Sequence, residues 1–150
     1  MRDSKARIWL SVMLLCGCLL AAWVTAASAA KHKVFFPSDC STPRYKPHHL
    51  IAACGDAGLQ VNAIAWSHYG TRTALGSGTA RTNTCKPDCA AGHFREDPAA
   101  VKLFRPRFCH NVGLFAFTRL QVTYTNGKPP GSDRSIRFPF PCSALETGSG

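Results

Sequence analysis

Acidic residues are scarce in this chain: 8 Asp and Glu stand against 18 Lys and Arg in 150 residues. The surplus is scattered along the sequence, so it predicts solubility and loose attraction to anionic surfaces before it predicts any particular ligand. No stretch carries a helical hydrophobic repeat over three turns, which excludes architectures built on helices. Past the first thirty residues no run is apolar enough to span a bilayer as a helix. G-x-S-x-G, H-E-x-x-H and a glycine-rich phosphate loop are all missing, so three common catalytic and nucleotide-binding signatures find no foothold. A basic stripe interleaved with aromatics is missing too, and nucleic acid is not expected as a partner.

What is present begins with a targeting segment. Arg2, Lys5 and Arg7 precede an uncharged stretch from Ile8 to about Thr25, and Ala26-Ala27-Ser28-Ala29-Ala30 then gives way to Lys31-His32-Lys33. Basic, apolar and small residues in that order predict a secretory signal peptide over 1–29, cleaved after Ala29. Two alternatives stay open. The segment approaches the length of a membrane span, and Leu15-Cys16-Gly17-Cys18 loosely resembles a lipoprotein signal acylated at Cys18. A membrane is expected as a partner only if the segment is retained or acylated.

The remaining 120 or so residues suit one domain. From Lys31 onward 15 Lys and Arg face 7 Asp and Glu, a net charge of +8. Residues 30–47 carry Pro37, Pro43 and Pro47 and read as an extended lead-in. A single β domain follows over 48–142, and 143–150 reads as a flexible tail. Within the domain the strand candidates are 48–54, 59–69, 73–84, 99–104, 114–125 and 135–141, separated by turn-rich stretches. In 59–69 the apolar parity changes from Leu59, Val61 and Ala63 to Ile64 and Trp66, which predicts a bulge or a strand buried on both faces. In 73–84 Ala74, Gly76, Gly78 and Ala80 form a row of small residues on which a large neighbour such as Trp66 has room to lie flat. Pro139 and Pro141 alternate against Ile136, Phe138 and Phe140 and mark an edge strand. Short strands at this spacing predict an all-β fold, an antiparallel β-sandwich of Ig-like or similar small type.

Cys40, Cys54, Cys85, Cys89, Cys109 and Cys142 lie beyond the signal, an even number that predicts a disulfide framework. Six cysteines allow fifteen connectivities. A meander through the strands puts Cys54, Cys85 and Cys89 at one side and Cys40, Cys109 and Cys142 nearer the other. The pairing carried forward is Cys40–Cys54, Cys85–Cys89 and Cys109–Cys142. The stretch Cys85-Lys86-Pro87-Asp88-Cys89, with His93 nearby, has too few ligands for a structural zinc site. It also lacks the two-residue spacing and helix start of a redox pair. It reads as a structural staple, and neither metal nor cofactor is expected.

Leu50-Ile51-Ala52-Ala53-Cys54-Gly55-Asp56, Trp66 followed by Tyr69-Gly70, Ala74-Leu75-Gly76-Ser77-Gly78, and Asn83-Thr84-Cys85-Lys86-Pro87-Asp88-Cys89-Ala90-Ala91-Gly92 together resemble a family of small secreted actinobacterial proteins with no assigned activity. The resemblance covers roughly 47–124. It implies an extracytoplasmic location and an actinomycete-type source, and it implies no catalytic residue. Tyr69 departs from the pattern, since similar proteins often carry a second tryptophan there.

For function, the candidate catalytic groups do not assemble. His48 and His49 point to opposite faces of a strand, and nothing in the spacing joins His68 to Asp56 and Ser67. A small extracellular hydrolase and a secreted cationic inhibitor or toxin-like protein remain alternatives, the second with Lys128-Pro129-Pro130-Gly131 as an exposed loop. The leading expectation is a non-catalytic binding or structural module at the cell envelope. Trp66, His68, Tyr69 and Arg72 are its candidate ligand site, with Arg105 and Arg107 elsewhere, and an anionic cell-wall polymer or glycan is the partner. The competing reading of Trp66 is a core residue.

Overall fold

A computed structural model describes residues 32–145. The expected signal segment and residues 146–150 lie outside the described residues. Eight strands follow in chain order: β1 (Val34–Pro37), β2 (Pro43–Arg44), β3 (Leu50–Ile51), β4 (Leu59–Tyr69), β5 (Thr73–Asn83), β6 (Phe94–Cys109), β7 (Leu114–Tyr124) and β8 (Ser135–Pro139). A short 3-10 turn over Cys142–Ala144 closes the described chain.

The strands form a single sheet in the order β2-β1-β7-β6-β5-β4-β3, with β8 also paired to β7. The fold is therefore all-β, as expected, but the two facing sheets of a sandwich are replaced by one sheet curled into a half-barrel. Neighbours run antiparallel except β1, which lies parallel to the start of β7 through Val34–Phe115 and Phe35–Ala116. β1 and β8 share one edge of β7, β8 taking Arg119 to Thr123. The extended lead-in thus belongs to the domain: Phe36 is fully buried and meets Phe140 edge-on at 4.7 Å. At the other end Leu145 is only 4 % exposed, so the chain stays packed to the last described residue.

The curl has a local cause in β4 and β5. The pairing of β4 with β5 slips between Asn62 and Ala65 and again between Trp66 and His68. Each slip inserts a residue and turns the following side chains to the opposite face. Ala63 takes the extra position with φ 51° and stays exposed. Inward residues of β4 consequently run Leu59, Val61, Ile64, Trp66 and Tyr69, and all of them pack in or against the core. This accounts for the parity change in the sequence. Opposite them, β5 turns its small row inward. A Cβ on Gly78 would come within 2.6 Å of the Asn62 carbonyl, and one on Gly76 within 2.8 Å of the Ala65 carbonyl and 2.9 Å of the Trp66 ring. The bulged backbone of β4 folds down onto a strip that lacks side chains, and the sheet bends there.

Across the sheet the register aligns inward rows: Tyr69, Ala74, Leu103, Leu120 and Phe138 in one, and Trp66, Gly76, Val101, Val122 and Ile136 in the next. The convex face carries the alternate rows, Thr73, Phe104, Arg119 and Pro139, then Leu75, Lys102, Gln121 and Arg137. β6 was expected to stop before Pro106 and instead continues to Cys109. The proline is tolerated because β5 ends its pairing at Phe104, leaving that edge of β6 without a ladder. Pro98 is accommodated in a similar way: its carbonyl accepts from the Thr125 amide, just past the last β7 pair at Tyr124, so its missing N–H falls beyond the ladder.

The six cysteines form three bridges, Cys40–Cys54, Cys85–Cys89 and Cys109–Cys142. The first ties the β1–β2 hairpin to the β3–β4 turn, and the last ties the end of β6 to the 3-10 turn. No helix among the described residues is long and apolar enough to cross a membrane.

Candidate functional site

The Cys85–Cys89 loop is a braced turn. Asn83 donates to the Cys89 carbonyl at 2.8 Å and accepts from the Cys85 amide at 2.9 Å, while Asp88 accepts from the Ala91 amide at 2.8 Å. Gly92 sits where a Cβ would lie 2.9 Å from backbone atoms of Asp88 and Cys85. Both sulfurs are committed to their bridge, so the chemistry of the loop is that of a staple.

The four residues expected to form a ligand platform are not brought together: the slip between Trp66 and His68 sets them on different faces, and Arg72 lies past the end of β4. Trp66 and Tyr69 turn inward, with ring centroids 5.1 Å apart, and Trp66 Nε1 donates to the Pro47 carbonyl at 2.9 Å. His68, paired with Leu75, is exposed on the convex face, its ring folded over Gly70. Arg72 is exposed in the turn between β4 and β5. The imagined catalytic set is likewise dispersed: Ser67 donates to the Leu75 carbonyl, and Asp56 accepts from the Gly58 amide at the far end of β4 from His68. His48 and His49 brace the first bulge, His48 against the Ile64 carbonyl and His49 against Asn62.

Tyr69 instead anchors an aromatic cluster. Its ring meets Tyr45 at 5.2 Å and Phe117 at 5.9 Å, and Lys46 Nζ stands 5.9 Å from its centroid. Its hydroxyl is buried and reaches no hydrogen-bond partner of good geometry. Burial pushes the phenol up to about 12, with the Lys46 backbone pulling weakly the other way. The folded protein therefore holds this proton more tightly than the unfolded chain. Its stability should be full below the ordinary value of 10.0 and fall as pH rises from there through about 12. Tyr69→Phe is expected to remove that alkaline loss and, by deleting an unpartnered hydroxyl, to raise stability at neutral pH by about 1 kcal/mol. Urea melts of both proteins across the alkaline range check this; parallel declines would discharge Tyr69 as the cause.

A different set of residues forms a concavity on the convex side of the sheet. A groove of about 340 Å³ is lined by Phe104, Arg105, Arg119, Arg137, Phe138 and Pro139, contributed by β6, β7 and β8. Arg119 follows from the pairing Phe104–Arg119–Pro139, and Arg137 lies one row away opposite Gln121. Arg105 leaves the extended conformation with φ 53°, and its carbonyl accepts from the nearly buried Thr118 hydroxyl at 2.8 Å. None of the four expected residues, Trp66, His68, Tyr69 and Arg72, lines this groove.

The electrostatics are one-sided. No carboxylate lines the groove, and the one ion pair among the described residues, Arg95 with the nearly buried Asp97, lies elsewhere on β6. Lys102 adds a fourth cation in the neighbouring row, 5.7 Å from the Phe104 ring centroid. Like charges on adjacent strands repel and cost stability, and here the surrounding side chains supply no counter-charge. The arrangement is suited to an anion with an apolar or ring-shaped portion. No protein-family model, no curated protein and no solved structure matches this chain.

Proposed function

We propose that the protein is a secreted, disulfide-stapled, non-catalytic binding module of the cell envelope, and that its partner is an acidic wall polymer or glycan. The observation that carries this reading is the groove in which three arginines from three strands meet Phe104 and Pro139, with no carboxylate among the lining residues. Aromatic and proline walls offer apolar surface to a sugar ring, and guanidinium groups meet its acidic substituents. Three disulfides suit an oxidising compartment, and the basic-apolar-small order of the first thirty residues suits export. Ser67, His68 and Asp56 lie apart, each with a local partner or an exposed position, which favours a binding role over a hydrolytic one.

The test is retention on an immobilised acidic polysaccharide. The triple variant Arg105→Gln, Arg119→Gln, Arg137→Gln is expected to bind more than about tenfold more weakly at low salt. A second triple, Arg44→Gln, Lys86→Gln and Lys128→Gln, changes net charge by the same amount on exposed positions away from the groove. It should lose far less, and the wild-type interaction should weaken as salt rises. Equal losses from the two triples would reduce the interaction to net charge and end the reading.

A further inference from the structure

We infer that the Arg105–Arg119–Arg137 groove receives a phosphate monoester, the group by which it selects among acidic ligands. The inference rests on the reading above and narrows it from acidity in general to one oxyanion.

Stoichiometry and shape argue for it. A carboxylate offers two oxygens in one plane and a single negative charge, and one guanidinium fork satisfies it. Three arginines around one groove would leave most of their donors and charge unmet by such a group. A phosphate monoester brings three terminal oxygens in a tetrahedral arrangement and a charge of about −1.5 to −2 near neutral pH. Its oxygens diverge, as do side chains arriving from β6, β7 and β8.

The donors are also partly fixed beforehand. Arg137 Nε donates to Gln121 Oε1 at 3.1 Å, which leaves its terminal nitrogens for a ligand. Arg119 Nη1 donates to its neighbour's carbonyl at Thr118, 3.0 Å away. Each tether consumes one donor of five and restrains a long side chain, lowering the entropy lost on binding. Thr118 links two of the arginines: its hydroxyl holds the Arg105 carbonyl, and its own carbonyl holds the Arg119 side chain. The lining cations are all arginine, with Lys102 set beside the Phe104 ring in the next row. Planar forks are what a multi-oxygen anion calls for, where a lysine would supply only a point charge. Phe104 and Pro139 flank the guanidinium groups with apolar surface on the convex face.

The experiment titrates the purified, disulfide-bonded protein and follows backbone amide chemical shifts. The probes are inorganic phosphate, glucose 6-phosphate, vesicles of phosphatidic acid in phosphatidylcholine, and glucuronate as the carboxylate counterpart. Shifts concentrated at Arg105, Arg119 and Arg137, with glucose 6-phosphate at least about tenfold tighter than glucuronate, would support the inference. Tighter binding of the sugar phosphate than of inorganic phosphate assigns a phosphorylated glycan as the source; retention on phosphatidic acid vesicles above plain ones assigns a lipid headgroup. Arg119→Gln should weaken phosphate binding about tenfold. Arg137→Lys keeps the charge and loses the fork, so a comparable loss there separates fork recognition from charge. Circular dichroism and disulfide content confirm that both variants fold. Equal affinity for glucuronate and glucose 6-phosphate, or an Arg137→Lys variant that binds phosphate like wild type, overturns the phosphate assignment. If an acidic polysaccharide still binds through the arginines, the broader reading survives that result; if neither polymer nor phosphate binds, both fall.

Discussion

Replacing Phe36 by alanine should lower stability by about 3–5 kcal/mol, the range for a large aromatic removed from a core that cannot close over the gap. Phe36 is fully buried, packs edge-on against Phe140, and sits on a strand held to β7 by only two residue pairs. The side chain thus pins the β1–β2 hairpin over the concave face as much as the ladder does. Were residues 30–47 a lead-in outside the domain, the substitution would change little. Chemical denaturation measures the difference directly, and a loss below about 1 kcal/mol, the scale of ordinary surface substitutions and weak contacts, would detach this segment from the core.

Removing the Cys109–Cys142 bridge by a double alanine substitution should cost about 4 kcal/mol, since a bridge spanning that much chain strongly restricts the unfolded state. The residues are 33 apart in sequence, the widest separation of the three bridges. Cys109 is fully buried with Ala116 and Leu145 in a small cluster of its own, and Asn111 donates to the Cys142 and Leu145 carbonyls at 2.9 and 2.8 Å. Those two hydrogen bonds hold the 3-10 turn against β6 only weakly once the covalent tie is gone. The expected result is a lower denaturation midpoint together with faster proteolysis of the C-terminal segment. Removing Cys85–Cys89, which spans 4 residues, should cost less. An equal cost for the two would contradict the dependence on loop length.

Local pattern was legible where one strand carried its own signal. The parity change after Ala63 marked a real bulge, the row Ala74, Gly76, Gly78 and Ala80 did receive Trp66, and the prolines of 135–141 did mark a strand paired on one side only. What stayed hidden depended on partners far away in sequence. β1 and β2 are too short to show a period, and β1 finds its place through a parallel contact with β7, some eighty residues on. The single curled sheet was read as two because alternation reports that one face is buried and does not say against what. A sandwich and a half-barrel both satisfy it. The groove was hidden for the same reason: Arg105, Arg119 and Arg137 belong to three strands, and only the register of β6, β7 and β8 brings them together. In the sequence Trp66, His68, Tyr69 and Arg72 looked closer, yet the slip between Trp66 and His68 leaves Trp66 and Tyr69 inward and His68 on the convex face, with Arg72 in the following turn.

A sheet that curls without closing keeps two open margins, and such margins are where one chain recruits another into aggregates. On one side β3 covers β4 only at Gln60 and Val61, so much of β4 borders solvent or loop. The two slips that bend the sheet also break the even spacing of amide and carbonyl groups that a foreign strand would have to match. On the other side, which β8 shares with the β1–β2 hairpin, β8 ends in Pro139 and is followed by Phe140 and Pro141, which withholds donors where an added strand would dock. The irregularities that shape the half-barrel therefore also work against edge-to-edge pairing of unpaired flanks, and the price is a β4 less regular than its length would allow.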